Sequence, residues 1–123
     1  MRYLLDTNII SNIIKPSPSH SLMAWMGEQN DTDLYISALT LAEIQRGILE
    51  LPKGKRRESL EKWFVGPQGP QTLFAGRILP FDEAASLIWA QFMADSRLAG
   101  RPKGTFDMMI AAIASANNCV VAT

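Results

Sequence analysis

Cysteine is nearly missing from this chain, which has Cys119 alone among 123 residues. No disulfide framework can form, so the fold must rest on an apolar core, and a reducing cytoplasm suits such a composition. Cys119 sits in the apolar run Cys119 to Ala122 and reads as a small buried thiol. Histidine is as scarce, with only His20 in what reads as a solvated loop, and this excludes the Cys and His sets that zinc prefers. An excess of either charge is lacking as well. Lys and Arg number 12 and Asp and Glu 12, so the net charge is zero and no global field draws the protein onto nucleic acid. Any such binding must be local. Long hydrophobic runs are absent too, since the longest, Met108 to Ala114, cannot span a bilayer. Asp6 interrupts the N-terminus too early for a signal peptide, so no membrane association is expected.

The remaining composition, 47% hydrophobic and 20% charged, is that of one ordinary globular domain over residues 1–123. Periodicity and breakers divide it into alternating elements. Tyr3 to Leu5 is a short strand ending at Asp6-Thr7-Asn8, where Asp6 or Thr7 can cap a helix carried by Ile9, Ile10, Ile13 and Ile14 until Pro16. Leu22, Trp25 and Met26 mark a second helix, and Leu34 to Ser37 a second strand. Thr40 opens a helix with the stripe Leu41, Ile44, Ile48 and Leu51, and a basic amphipathic helix runs from Arg56 to about Phe64. Gly66 to Pro70 is a loop, and Arg77 to Leu79 a third strand. Asp82 caps a long helix that presents Ala85, Ile88, Trp89, Phe92 and Met93 inward, with Gly100 just past its end. Thr105 caps a last helix, and Cys119 to Ala122 is a fourth strand. This alternation predicts an α/β fold with a mainly parallel sheet of four or five strands flanked by helices in three layers.

That geometry decides where the acids go. Asp6 ends the first strand, Glu43 lies in the first turn after the second, and Asp107 begins the helix that feeds the fourth. Helices run opposite to the parallel strands they feed, so all three carboxylates emerge at the carboxyl edge of the sheet, where α/β folds bind ligands. Each has a bland alternative. Asp6 is a plausible helix cap, Thr40-Leu41-Ala42-Glu43 spells a capping box, and Asp107 answers a helix dipole. Their conjunction favours a metal site: three acids repel one another, no Lys or Arg adjoins them in sequence, and an all-oxygen set suits Mg²⁺ or Mn²⁺. Thr7, Asn8 and Ser37 lie at the same edge, able either to orient ligands or to cap helices. Basic residues gather at Arg46, Lys53, Lys55, Arg56 and Arg57, and again at Arg97, Arg101 and Lys103, either as solvated faces or as a patch for RNA phosphates.

Four ordered blocks resemble VapC-type PIN domains, the ribonuclease toxins of bacterial toxin–antitoxin pairs. They are Leu4 to Ser11, Ile36 to Gly47, Phe74 to Glu83 (similar to a FitB-like subgroup) and Asp107 to Ala112 with Val120 to Thr123. The resemblance implies a PIN-like endoribonuclease in which Asp6, Glu43 and Asp107 hold Mg²⁺ or Mn²⁺ and a water attacks an RNA phosphodiester, leaving a 5′-phosphate and a 3′-hydroxyl. It further implies a homodimer and a VapB-like antitoxin that covers the acidic pocket. Family members continue past the position of Thr123 with a fourth acidic or Asn position and a final strand. The chain is therefore expected to lack that C-terminal segment, to hold at most one ion, and to leave its sheet edge unpaired or covered by a partner. Three rivals remain open: a non-catalytic PIN-like scaffold, a receiver-like Mg²⁺-binding signalling domain, and a haloacid-type phosphatase. The second fits poorly because position 7 is Thr and no late Lys-Pro follows the final strand. The third would need an acid where Asn8 stands.

Overall fold

Every strand of the sheet runs the same way, and this parallelism shapes the rest of the molecule. The computed structural model describes residues 1–13, 17–100 and 104–123. The strands are β1 (Arg2–Leu5), β2 (Leu34–Ser37), β3 (Ile78–Leu79) and β4 (Cys119–Ala122), and they lie in the order β3-β2-β1-β4. The helices are α1 (Thr7–Ile13), α2 (His20–Gly27), α3 (Ala38–Leu49), α4 (Lys55–Val65), α5 (Pro70–Leu73), α6 (Glu83–Leu98) and α7 (Thr105–Ala116). A short 3₁₀ turn, Asp31–Asp33, leads into β2.

Side chains alternate across a strand, so the central strand feeds two cores. Leu4 and Leu5 are both completely buried, on opposite faces. Leu5 joins Ile9, Ile10, Leu34, Ile36 and Ile44 beneath α1, α3 and α4. Leu4 joins Ala85, Ile110, Ile113 and Ala114 beneath α6 and α7, which pack on each other. The expected three layers result, with four parallel strands among the described residues. Cys119 is half-buried in β4, and burial pushes its thiol pKa up despite the nearby Arg2, so it stays protonated and unreactive at neutral pH.

Several local expectations are corrected. The helix after β2 begins at Ala38 rather than at Thr40. Ser37, still in extended conformation, is its cap: its Oγ accepts from the Thr40 N–H at 2.9 Å and donates to Thr40 Oγ1 at 3.2 Å. Thr40 is thus an interior, fully buried residue, and the capping-box reading of Glu43 falls. Gly104, not Thr105, precedes α7, and His20 is the exposed first residue of α2 rather than a loop residue. Pro70 starts α5 where a loop is expected, in the position at which proline's fixed φ suits a helix. Asp82 behaves as expected, accepting from the Ala85 N–H at 3.0 Å, and Gly100 turns left-handed (φ 67°) beyond α6. The predicted stop at Pro16 lies outside the described residues.

Candidate active site

The strand ends and the first turns of the helices decide what the carboxyl edge displays. Asp6 follows β1 directly. Its backbone N–H donates to the Ala122 carbonyl at 3.1 Å, carrying the β1–β4 ladder one step further, and its Oδ1 accepts from the Ile9 N–H at 3.1 Å. One carboxylate oxygen therefore caps α1 and holds the side chain in place, while Oδ2 is left for other work. The cap reading and the ligand reading of Asp6 are compatible.

Glu43 is in the second turn of α3, one turn later than expected, and is exposed. Asp107 lies in the first turn of α7, also exposed, above a Gly104 cap that offers no side chain to compete for the α7 amides. All three acids line one cleft of about 530 Å³, together with Thr7, Asn8 and an apolar wall that includes Ile110. Acids 37 and 64 positions apart along the chain are brought to one opening because β1, the start of α3 and the start of α7 share an edge. Ser37 does not join them. It is fully buried with its hydroxyl engaged by Thr40, and its place is that of a structural cap.

The electrostatics of the cleft are one-sided. Its lining among the described residues includes Asp6, Glu43 and Asp107 and no Lys, Arg or His. Among the described residues no three acids stand near enough to bind one ion directly as placed. Glu43 and Asp107 are exposed, and a hard ion such as Mg²⁺ commonly keeps several waters between itself and its carboxylates. The donor set, oxygen only and uncompensated, fits a divalent cation.

The basic residues separate into groups. Arg46 pairs with Glu50 (3.5 Å) on the open surface, and Arg57 pairs with Glu61 (2.6 Å) and donates to the Leu51 carbonyl. Lys53 and Lys55 are exposed and line none of the clefts described here, and Arg97 is exposed near the end of α6. Arg101 and Lys103 lie outside the described residues. Arg56 alone of the first cluster borders a groove that also contains Thr7 and Glu43. Sequence reasoning missed Trp63 in that same groove and Phe106 on the wall of the cleft. Phe106 had a signal, since it lies four residues before Ile110 on one face of α7.

An α/β domain whose cleft opens at the carboxyl edge of a parallel sheet belongs to the class of folds that bind ligands at that edge. Within that class the chain belongs to the PIN domain family, whose model matches residues 3–123. It is 41% identical over 120 residues to VapC ribonuclease Y4jK of Sinorhizobium fredii, covering 98% of this chain and 84% of that protein. It is 39% identical to Toxin FitB of Neisseria gonorrhoeae, covering 98% and 85%. The crystal structure of FitAcB from Neisseria gonorrhoeae superposes with a TM-score of 0.90 at 38% identity, covering 98% of this chain and 86% of that one.

The division of labour at Asp6 has a measurable consequence. Asn caps a helix about as well as Asp, whereas Ala forfeits about 1 kcal/mol. Asp6→Asn, Glu43→Gln and Asp107→Asn should each melt within about 1 kcal/mol of the parent, and Asp6→Ala should be the least stable of the Asp6 variants. Thermal denaturation checks this, and global unfolding of Glu43→Gln or Asp107→Asn would show that these acids serve the fold instead.

Proposed function

We propose that this chain is a divalent-metal-dependent endoribonuclease, the toxin of a toxin–antitoxin pair, with Asp6, Glu43 and Asp107 as its metal-holding acids. The observation that carries the reading is the concentration of three carboxylates in a cleft with no basic residue among its described lining. A polyanion does not enter such a cleft unaided, so the cation and the RNA must arrive as complementary charges. The relatives carrying the names ribonuclease and toxin support the activity.

Bound Mg²⁺ or Mn²⁺ would act there as a Lewis acid toward the phosphoryl oxygens and would make a water a better nucleophile. The chain's own part is placement. Asp6 is held by its bond to Ile9, so its free oxygen is presented without further loss of freedom. Glu43 and Asp107 face it from α3 and α7, the latter at a helix N-terminus whose dipole favours the anionic phosphate. Thr7 and Asn8, in the first turn of α1, offer a hydroxyl and an amide to orient water or the phosphate.

The partners follow from the same reading: an RNA substrate, a VapB-like antitoxin that closes the acidic cleft with a basic side chain, and a second copy of the chain in a homodimer. The structure of FitAcB is the relevant relative for the complex. No helix among the described residues is long and apolar enough to cross a membrane, and the cytoplasm, where RNA and a reduced Cys119 coexist, is the proposed location.

Incubation of the purified protein with total RNA should give cleavage that EDTA abolishes and Mg²⁺ or Mn²⁺ restores. Asp6→Asn, Glu43→Gln and Asp107→Asn should each lower the rate at least about a hundredfold, the scale on which loss of an oriented charged group acts. Cleavage that survives EDTA and all three substitutions would exclude this site. A folded parent that never cleaves RNA would leave the non-catalytic scaffold.

A further inference from the structure

A second groove opens beside the acidic cleft and shares two of its residues. Thr7 and Glu43 line both, so the two are continuous across the start of α1 and the exposed side of α3. From Glu43 the groove passes over Gly47 to Arg56 and Trp63 on α4. Gly47 lines the passage, where even an added Cβ would meet nothing within 4 Å, and Ile44, Ile48, Leu51 and Leu60 give it aliphatic walls.

Arg56 is the free cation of this surface. It is exposed, and among the described residues it forms no ion pair, although Arg57 and Arg46 on either side of the loop are engaged with Glu61 and Glu50. Trp63 lies on the same side of α4, seven residues and about two turns further on. It packs against the core with part of its ring and contributes the rest to the groove. The groove's volume, about 220 Å³, is below the roughly 300 Å³ at which pockets begin to engulf whole ligands. It is suited to one planar group laid against an aromatic wall. A cation for a phosphate, an indole for a base and an uninterrupted path to the acids are the parts of a single-strand track.

Resting on the ribonuclease reading, we infer that this groove is the subsite for the nucleotide adjoining the scissile phosphodiester, with Arg56 on its phosphate and Trp63 against its base. Glu43 then stands at the junction, where its carboxylate keeps the phosphate of the neighbouring nucleotide on the Arg56 side. Recognition is by stacking and charge, so the subsite tolerates different bases and sets how firmly the strand is held rather than which base is read.

The test is binding of a fluorescein-labelled oligouridine of about a dozen nucleotides, followed by anisotropy in the Asp107→Asn background, whose substitution lies outside this groove. Adding Arg56→Ala should weaken binding about fivefold or more and reduce the log–log salt slope by about 0.7, the share of one phosphate contact on a single strand. Trp63→Leu should weaken binding about fivefold, with Trp63→Phe restoring most of it. Arg46→Ala, engaged elsewhere, is the control. In the otherwise unaltered enzyme Arg56→Ala should raise KM with kcat retained. Arg56 is exposed, so its replacement does not threaten the fold, and the inference stays testable if Trp63→Leu fails to fold. Equal binding by Arg56→Ala and Arg46→Ala would overturn the subsite, and cleavage by the unaltered protein would then show that the nuclease reading stands without it. If Arg56→Ala and Trp63→Leu weaken inhibition by the antitoxin while oligouridine binding is unchanged, the groove belongs to the partner protein and the inference is equally overturned.

Discussion

Parallel strand pairing is the constraint from which the site follows. When every strand runs one way, every strand carboxyl end lies on one edge, and every helix that feeds a strand starts from that edge. In this chain β1 delivers Asp6, the helix after β2 delivers Glu43, and the helix before β4 delivers Asp107. Burying Leu4 and Leu5 on opposite faces keeps β1 in the middle of the sheet, next to both β2 and β4. Moving β1 to an edge would separate the acids. The apolar core and the acidic cleft are thus two results of one arrangement, although no acid belongs to the core.

Gathering negative charge costs free energy that other interactions must offset. Part of the cost is lowered by geometry, because Glu43 and Asp107 remain exposed and are screened by water until something binds. Part is offset at Asp6, whose carboxylate also satisfies an amide of α1. The rest is latent, a field that a divalent cation relieves. For a nuclease of the proposed kind such an arrangement favours a divalent cation, because like charges brought together are relieved by an opposite one.

Much of this was legible in the sequence, for identifiable reasons. Leu34 to Ser37 reads as a strand because the polar turn Asn30 to Asp33 precedes it. Asp6 and Asp107 are adjacent to element boundaries that breakers and apolar runs mark from both sides. The start of α3 was less legible: Ser37 and Thr40 are both good cap residues three apart, and only tertiary burial decides between them. That shift moved Glu43 one turn along α3 and left Ser37 a buried cap outside the cleft. α5 is a four-residue helix that Gly69 precedes and Pro70 begins, too short for periodicity to reveal. Composition does not sort the basic cluster, but spacing does: Glu50 and Glu61 lie four residues after Arg46 and Arg57, whereas Leu60 lies four after Arg56.

The central claim is that Asp6, Glu43 and Asp107 serve one divalent ion. Its most direct test is a crystal grown with Mn²⁺ and measured at an X-ray energy where manganese scatters anomalously. The account predicts an anomalous peak inside the cleft, with each of the three carboxylates bound to it at about 2.0–2.2 Å or through one intervening water. A peak held elsewhere on the chain, or a cleft that stays empty of manganese at millimolar concentration while RNA is still cleaved, would contradict it.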